Sequence, residues 1–231
     1  MKYTLMKRLN TMNGLLKGSI LMIVVLALTT SIQTETVKAQ GVTFTPGVDY
    51  YSTYIFRGVA FSGPSIQPYV EFEAGNLTFG GWGSQGFDGF QEMDLYASYE
   101  FDFGFSIGFT DYYYPGSDYF SSGSHAFEIN TGFETGGFSL SGNIVLNEAK
   151  EAGSAGGDLY FEAGFSVGPA DLFIGAGDGW HSASGDFALV NIGLGASKEI
   201  KVTDSFSIPL SGALILNPDT EQFYIVVGVS F

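Results

Sequence analysis

Arg57 is one of two arginines in this 231-residue chain, and it sits in an aromatic, strand-like stretch, Ser52-Thr53-Tyr54-Ile55-Phe56-Arg57-Gly58-Val59. A guanidinium is permanently charged and presents a planar fork of donors, so carboxylates are its natural partners. Carboxylates are plentiful, with 24 Asp and Glu against 9 Lys and Arg. In segments that alternate in polarity, Asp49, Glu71, Glu73, Glu92, Asp94, Glu100, Glu128, Glu134 and Glu162 fall on the polar face. Many acids around one fixed cation suit the electrostatic screening of small solutes. Arg57 clamps a wall by ion pairing, narrows a passage, or sits at the membrane rim. Nucleophilic chemistry is poorly served. The two histidines are His125 and His181, and Ser124 is adjacent to His125 in sequence. Neighbours along a strand point to opposite faces, so that pair makes a poor dyad, and no catalytic residue is assigned. The acids Asp118, Asp178, Asp186 and Asp219 lack the spacing of a calcium loop. The chain has no cysteine and therefore no thiol chemistry. No metal or cofactor is expected.

The segments that would carry these residues repeat with a period of two. At the C-terminus Phe223, Ile225, Val227, Val229 and Phe231 share one face, while Gln222, Tyr224, Gly228 and Ser230 share the other. Large apolar residues opposite small or polar ones, over about ten residues, is the pattern of a strand with lipid on one side and a lumen on the other. The pattern predicts strands near 48–60, 65–73, 77–85, 92–101, 103–113, 126–134, 137–147, 158–168, 170–177, 186–198, 204–216 and 221–231. Tight links such as Ala74-Gly75-Asn76 and Gly168-Pro169 alternate with longer Gly-, Ser- and Asp-rich links near 115–124, 147–157 and 178–185. The reading is all-β: one transmembrane antiparallel β-barrel of about 12 strands, with N- and C-termini in the periplasm. On this reading Arg57 lies in the first strand and faces inward, while Tyr54 and Phe56 face lipid. Tyr112, Tyr113 and Tyr114, with Trp82 and Phe87, read as an interfacial girdle.

Composition and leader agree with that class. Lys2, Lys7, Arg8 and Lys17 precede an apolar run from Gly18 to Leu28, and Val37-Lys38-Ala39 suits a peptidase site. Residues 1–39 therefore read as a cleaved signal peptide and 40–231 as the barrel domain. Removing the leader takes five of the nine basic residues and one of the 24 acids, which leaves a net charge of −19. Such a chain repels nucleic acid. Aromatic residues make up 16% and charged residues only 14%, with 33 glycines. A disordered acidic chain is poor in aromatics, and a soluble domain is nearer a quarter charged.

The run Tyr54-Ile55-Phe56-Arg57-Gly58, then Pro64, then Gly80-Gly81-Trp82-Gly83-Ser84, resembles the TorF family, which is described as porins of uncharacterised transport role. Its members open with a YxxRG segment, a proline and a GxWxS segment. The resemblance covers residues 50–85 in motif and the chain after the leader in architecture. Ala60-Phe61-Ser62 and Gln85 depart from the family's usual residues. The terminal row Phe223, Ile225, Val227, Val229 and Phe231 resembles the signal that the barrel assembly machinery of bacteria recognises. Together these imply a bacterial outer-membrane barrel with lipid, the assembly machinery and small solutes as partners. The expected role is a porin-like channel for small hydrophilic, cationic solutes. A non-conducting barrel with a filled lumen is the alternative.

Overall fold

The computed structural model describes residues 37–39, 41–204 and 206–231. Twelve strands form the wall: β1 Val42–Tyr51, β2 Ser65–Ala74, β3 Leu77–Gly86, β4 Gln91–Glu100, β5 Phe105–Tyr113 and β6 His125–Thr135. The second half comprises β7 Phe138–Val145, β8 Leu159–Val167, β9 Ala170–Gly177, β10 Ala188–Lys201, β11 Ser207–Asn217 and β12 Gln222–Ser230. Each pairs antiparallel with the next, and β12 pairs with β1 to close the barrel. The closing seam is short. It runs from Gly228↔Tyr51 to Ser230↔Asp49, with two further hydrogen bonds between Val48 and Phe231. Val37–Ala39 pair with Val42–Phe44, on the part of the β1 edge that β12 does not reach. The predicted leader otherwise lies outside the described residues.

The alternation has a direct structural meaning. Leu95 and Tyr99, Phe161 and Phe165, Leu172 and Ile174, Leu214 and Leu216, and Phe223, Ile225 and Val227 are all exposed on the outer face. A sheet closed on itself pairs its two end strands and presents this apolar belt all round. Inside, aromatic rings lie flat on glycines of neighbouring strands. The ring of Tyr69 fills the place that a side chain on Gly47 would take, and Tyr96, Tyr160 and Phe173 do the same over Gly80, Gly175 and Gly193. Glycine and aromatic residues are abundant together because one makes room for the other.

Connections alternate between the two mouths. One mouth carries links 75–76, 101–104, 136–137, 168–169 and 202–206, together with both ends of the wall. The other carries 52–64, 87–90, 114–124, 146–158, 178–187 and 218–221. Eleven strands fall within a few residues of their sequence-based positions. The first does not. It spans 42–51 rather than 48–60, because residues 52–64 leave the wall.

The glycine–aromatic contacts give a test. A Cβ on residue 193 would lie 1.9 Å from the Phe173 ring, whereas one on Gly195 meets nothing nearer than 3.8 Å. Gly193→Val is expected to destabilise the folded barrel by about 1–3 kcal/mol through overpacking, and Gly195→Ala to change it little. Urea unfolding in detergent micelles measures both.

Candidate functional site

After Tyr51 the chain turns into the lumen. Tyr54–Phe56 pairs with Val59–Ser62 to form a small hairpin. Its turn residues, Arg57 and Gly58, both have positive φ, 51° and 83°. Consecutive positive values belong to the tight turn whose twist matches a hairpin. The tip leaves no space for a larger residue, since a Cβ on Gly58 would lie 1.9 Å from the Val190 carbonyl oxygen. The Gly58 carbonyl in turn accepts a 3.0 Å hydrogen bond from Asn217 Nδ2. The hairpin thus rests on β10 and β11. STYIFRGV is not a wall strand, and its aromatic residues do not face lipid. Arg57 is an unusual residue for such a turn, whose mark in the sequence is the change of phase from Tyr54 and Phe56 to Val59 and Phe61.

Arg57 reaches β6 and β8, which lie opposite β1 and β2 in the barrel order. Nη1 donates to Glu128 Oε1 at 2.6 Å and Nη2 to Oε2 at 3.0 Å. Glu128 also accepts from the Tyr112 hydroxyl at 2.9 Å and from Asn130 Nδ2, and its side chain is fully buried. The guanidinium lies 4.6 Å from the Phe56 ring centroid and 4.7 Å from that of Tyr160. His181, on the loop turn Gly179–His181, places Nε2 3.4 Å from Arg57 Nη1. A guanidinium can only donate, so Nε2 accepts and this imidazole is neutral. Burial, with Arg57 adding to it, lowers the His181 pKa to about 3.

Aromatic packing surrounds the hairpin. Tyr54 stacks on Phe61 and tilts against Trp82 and Phe90. Phe56 meets Tyr112 edge-on, and Tyr112 meets Trp180. From the 146–158 link, Ala149 and Ala152 pack beside Tyr112, Ala126 and Val145. Ser124 Oγ donates to Glu151 at 2.6 Å and ties this link to its neighbour. Tyr112, Tyr114 and Trp82 therefore belong to the lumen packing rather than to an interfacial girdle. Tyr113 stacks on His125 near the loop mouth, and Phe87 is exposed beside Tyr50.

The acids separate into three levels. Glu73, Glu100 and Glu134 line an open polar cleft of about 620 Å³ at the short-turn mouth, with Thr78, Asn76 and Asp102. Asp49, Glu71 and Glu162 lie further in. Glu71 accepts from the Tyr96 hydroxyl at 2.8 Å, and Glu162 accepts from Tyr160 and from Asn191 Nδ2. Asp49 lies on β1 opposite Gln67 and Ser230. Glu92, Asp94 and Glu128 are buried beneath the hairpin. Only Glu128 meets Arg57. Phe223, Ile225, Val227 and Phe231 are exposed along the outer face of the closing strand, in one row with Val229.

Residues 35–201 match the model of a family described as "Bacterial protein of unknown function (Gcw_chp)". The chain belongs to the Gcw_chp family. The match takes in the hairpin, Glu128 and His181, and ends within β10. No curated protein matches the sequence. Among solved structures, a variant of the Rh. blastica porin aligns with 88% of this chain and 80% of its own, at 12% identity and a TM-score of 0.46. The Salmonella typhi outer membrane phospholipase dimer with bound calcium aligns with 84% and 93%, at 13% identity and 0.43. Outer membrane phospholipase A from Escherichia coli gives 11% identity and 0.40, over 87% and 91%. Function does not transfer from either kind of protein at these values.

In this Gcw_chp barrel the partners of Arg57 were not readable locally. Glu128 is 71 residues away and His181 is 124 away. Arg57→Ala leaves Glu128 buried without its cation and is expected to cost about 3–5 kcal/mol, read as a lowered urea midpoint. Adding Glu128→Gln should restore part of that loss. His181 gives a pH dependence. Its pKa of about 3 lies below the ordinary 6.5, so the unfolded chain binds the extra proton first. Its contribution is complete above pH 6.5 and is lost as pH falls toward 3. Unfolding measured from pH 7 to 4 should show a steeper loss in the native chain than in His181→Asn.

Proposed function

We propose that this protein is a bacterial outer-membrane barrel whose lumen is closed by its own first connection, so that it is non-conducting with the hairpin seated. The observation that carries this is the hairpin 54–62, whose Arg57 is bound to Glu128 on the opposite wall while Gly58 is held by Asn217. The apolar belt supports insertion in a bilayer, since only helices and closed barrels satisfy their backbone there. Short turns and both wall ends at one mouth suit a periplasmic side, with the longer links outside. The resemblance of residues 50–85 to TorF porins supports the same location. The leader would direct export, and the terminal row from Phe223 to Phe231 would engage the assembly machinery.

No catalytic step is assigned. His181 is turned to Arg57. His125 has Nδ1 at 2.8 Å from Asp111 and Nε2 at 2.6 Å from the Tyr119 carbonyl, so neither histidine is a free base.

A second reading is favoured by the open acidic cleft at the other mouth. Its carboxylates would attract cations, which makes the barrel a cation-preferring channel once the hairpin is displaced. Planar-bilayer recording tests both readings. The native protein is expected to give no steady current. Replacing residues 53–62 by a Gly-Ser linker is expected to give steps whose reversal potential in a KCl gradient shows cation preference. Steady current through the native protein would overturn the closed-lumen reading, and anion preference in the variant would overturn the cationic one.

A further inference from the structure

We propose that Ser84, Glu92 and Asp94 form a buried site for one divalent cation, of which calcium fits best. Glu92 and Asp94 are two residues apart on β4 and face inward, and Ser84 on β3 is the direct register partner of Glu92. Their exposures are 5%, 4% and 7% for Ser84, Glu92 and Asp94. Each holds a buried oxygen with no hydrogen-bond partner: Ser84 Oγ, Glu92 Oε2 and Asp94 Oδ1. The Glu92 carboxylate otherwise accepts a 3.3 Å contact from the Tyr114 hydroxyl, with the Tyr54 hydroxyl as a further donor.

Glu128 shows what a satisfied acid in the same lumen looks like. It receives both arms of Arg57, a phenol and an amide. Among the described residues no such cation serves Glu92 and Asp94. Arg57 is engaged by Glu128, Lys198 is exposed, and Lys150 and Lys201 are exposed and lie beside Glu148 and Asp204. An ionised carboxylate is acceptor-only; tyrosine hydroxyls reach Glu92 and the Tyr113 backbone reaches Asp94, but burying two such charges with no counter-charge is costly. The pair therefore lacks positive charge.

The donor chemistry identifies what would supply it. Carboxylate and hydroxyl oxygens are hard ligands, and two carboxylates match the charge of one divalent ion. Calcium accepts irregular sets of six to eight oxygens and fills gaps with water, whereas magnesium demands a near-ideal octahedron. Among the described residues no three His, Cys, Asp or Glu side chains gather as a metal set, so serine and water would complete the shell. Tyr54 of the hairpin lies over this region with its ring 5.5 Å from Trp82, so an ion here would also hold the hairpin down.

Calorimetric titration of the folded full-length barrel with CaCl2, after chelator treatment in detergent, tests the site. Saturable binding at one site per chain is expected, with a rise in melting temperature. Both should be lost in Glu92→Gln/Asp94→Asn and kept in Glu73→Gln/Glu100→Gln, which alters only the open cleft. If the first double variant does not fold, Ser84→Ala should still fold and bind about tenfold more weakly. A folded native barrel that shows no saturable calcium binding overturns the site and leaves protons to neutralise the pair. Binding that survives Glu92→Gln/Asp94→Asn, is unchanged in Ser84→Ala, or is lost in the cleft variant also overturns it. None of these outcomes depends on whether the barrel conducts.

Discussion

A guanidinium and a carboxylate buried together inside a barrel constrain everything near them. Neither Arg57 nor Glu128 can be removed from water unless the other is present with good geometry, because the desolvation of each is repaid only by close, well-directed contact. That requirement fixes how far the hairpin extends and which way its tip points. It also explains the surroundings: a tyrosine and an asparagine supply the remaining donors to Glu128, and two aromatic faces cover the cation. The loop turn that brings His181 to Arg57 joins the same assembly. The seat of the hairpin in the lumen follows from one ion pair and the groups that make its burial tolerable.

The wall and its filling were legible in the sequence to different degrees, and the reason is range. A wall strand is specified by its own residues through the two-residue period, so β2 through β12 could be read one at a time. Glycine and aromatic content pointed to the same architecture before any pairing was known. The hairpin obeys no such local rule. Tyr54 and Phe56 continue the alternation that begins in β1, Val59 and Phe61 fall out of phase with it, and the interruption lies in backbone angles at Arg57 and Gly58. A Gly after a non-Gly residue between two short apolar runs is a turn signal, but Arg57 lacked the Asn or Asp that usually announces it. The residues that receive the tip, Val190 and Asn217, are drawn from β10 and β11 and carry no mark of that role in sequence.

The distribution of charge follows from this division of the lumen. Acids at the open mouth can meet water and counter-ions, so repulsion among Glu73, Glu100 and Glu134 is screened. Acids deeper in the lumen have no such screen. Each must be satisfied by something specific, and the barrel provides it unevenly, with Arg57 for Glu128 and tyrosine with asparagine for Glu162. The same alternating strand can therefore carry two inward carboxylates of different chemistry, such as Glu128 and Glu134 on β6, according to depth.

The hairpin begins and ends on adjacent wall strands at a single mouth. It is a tethered flap rather than a threaded segment. Its route into the interior crosses no strand, and the β12–β1 seam can form before or after it folds inward. Assembly of the wall and filling of the lumen are therefore separable events, and a cylinder that closes first can be stoppered afterwards from one end.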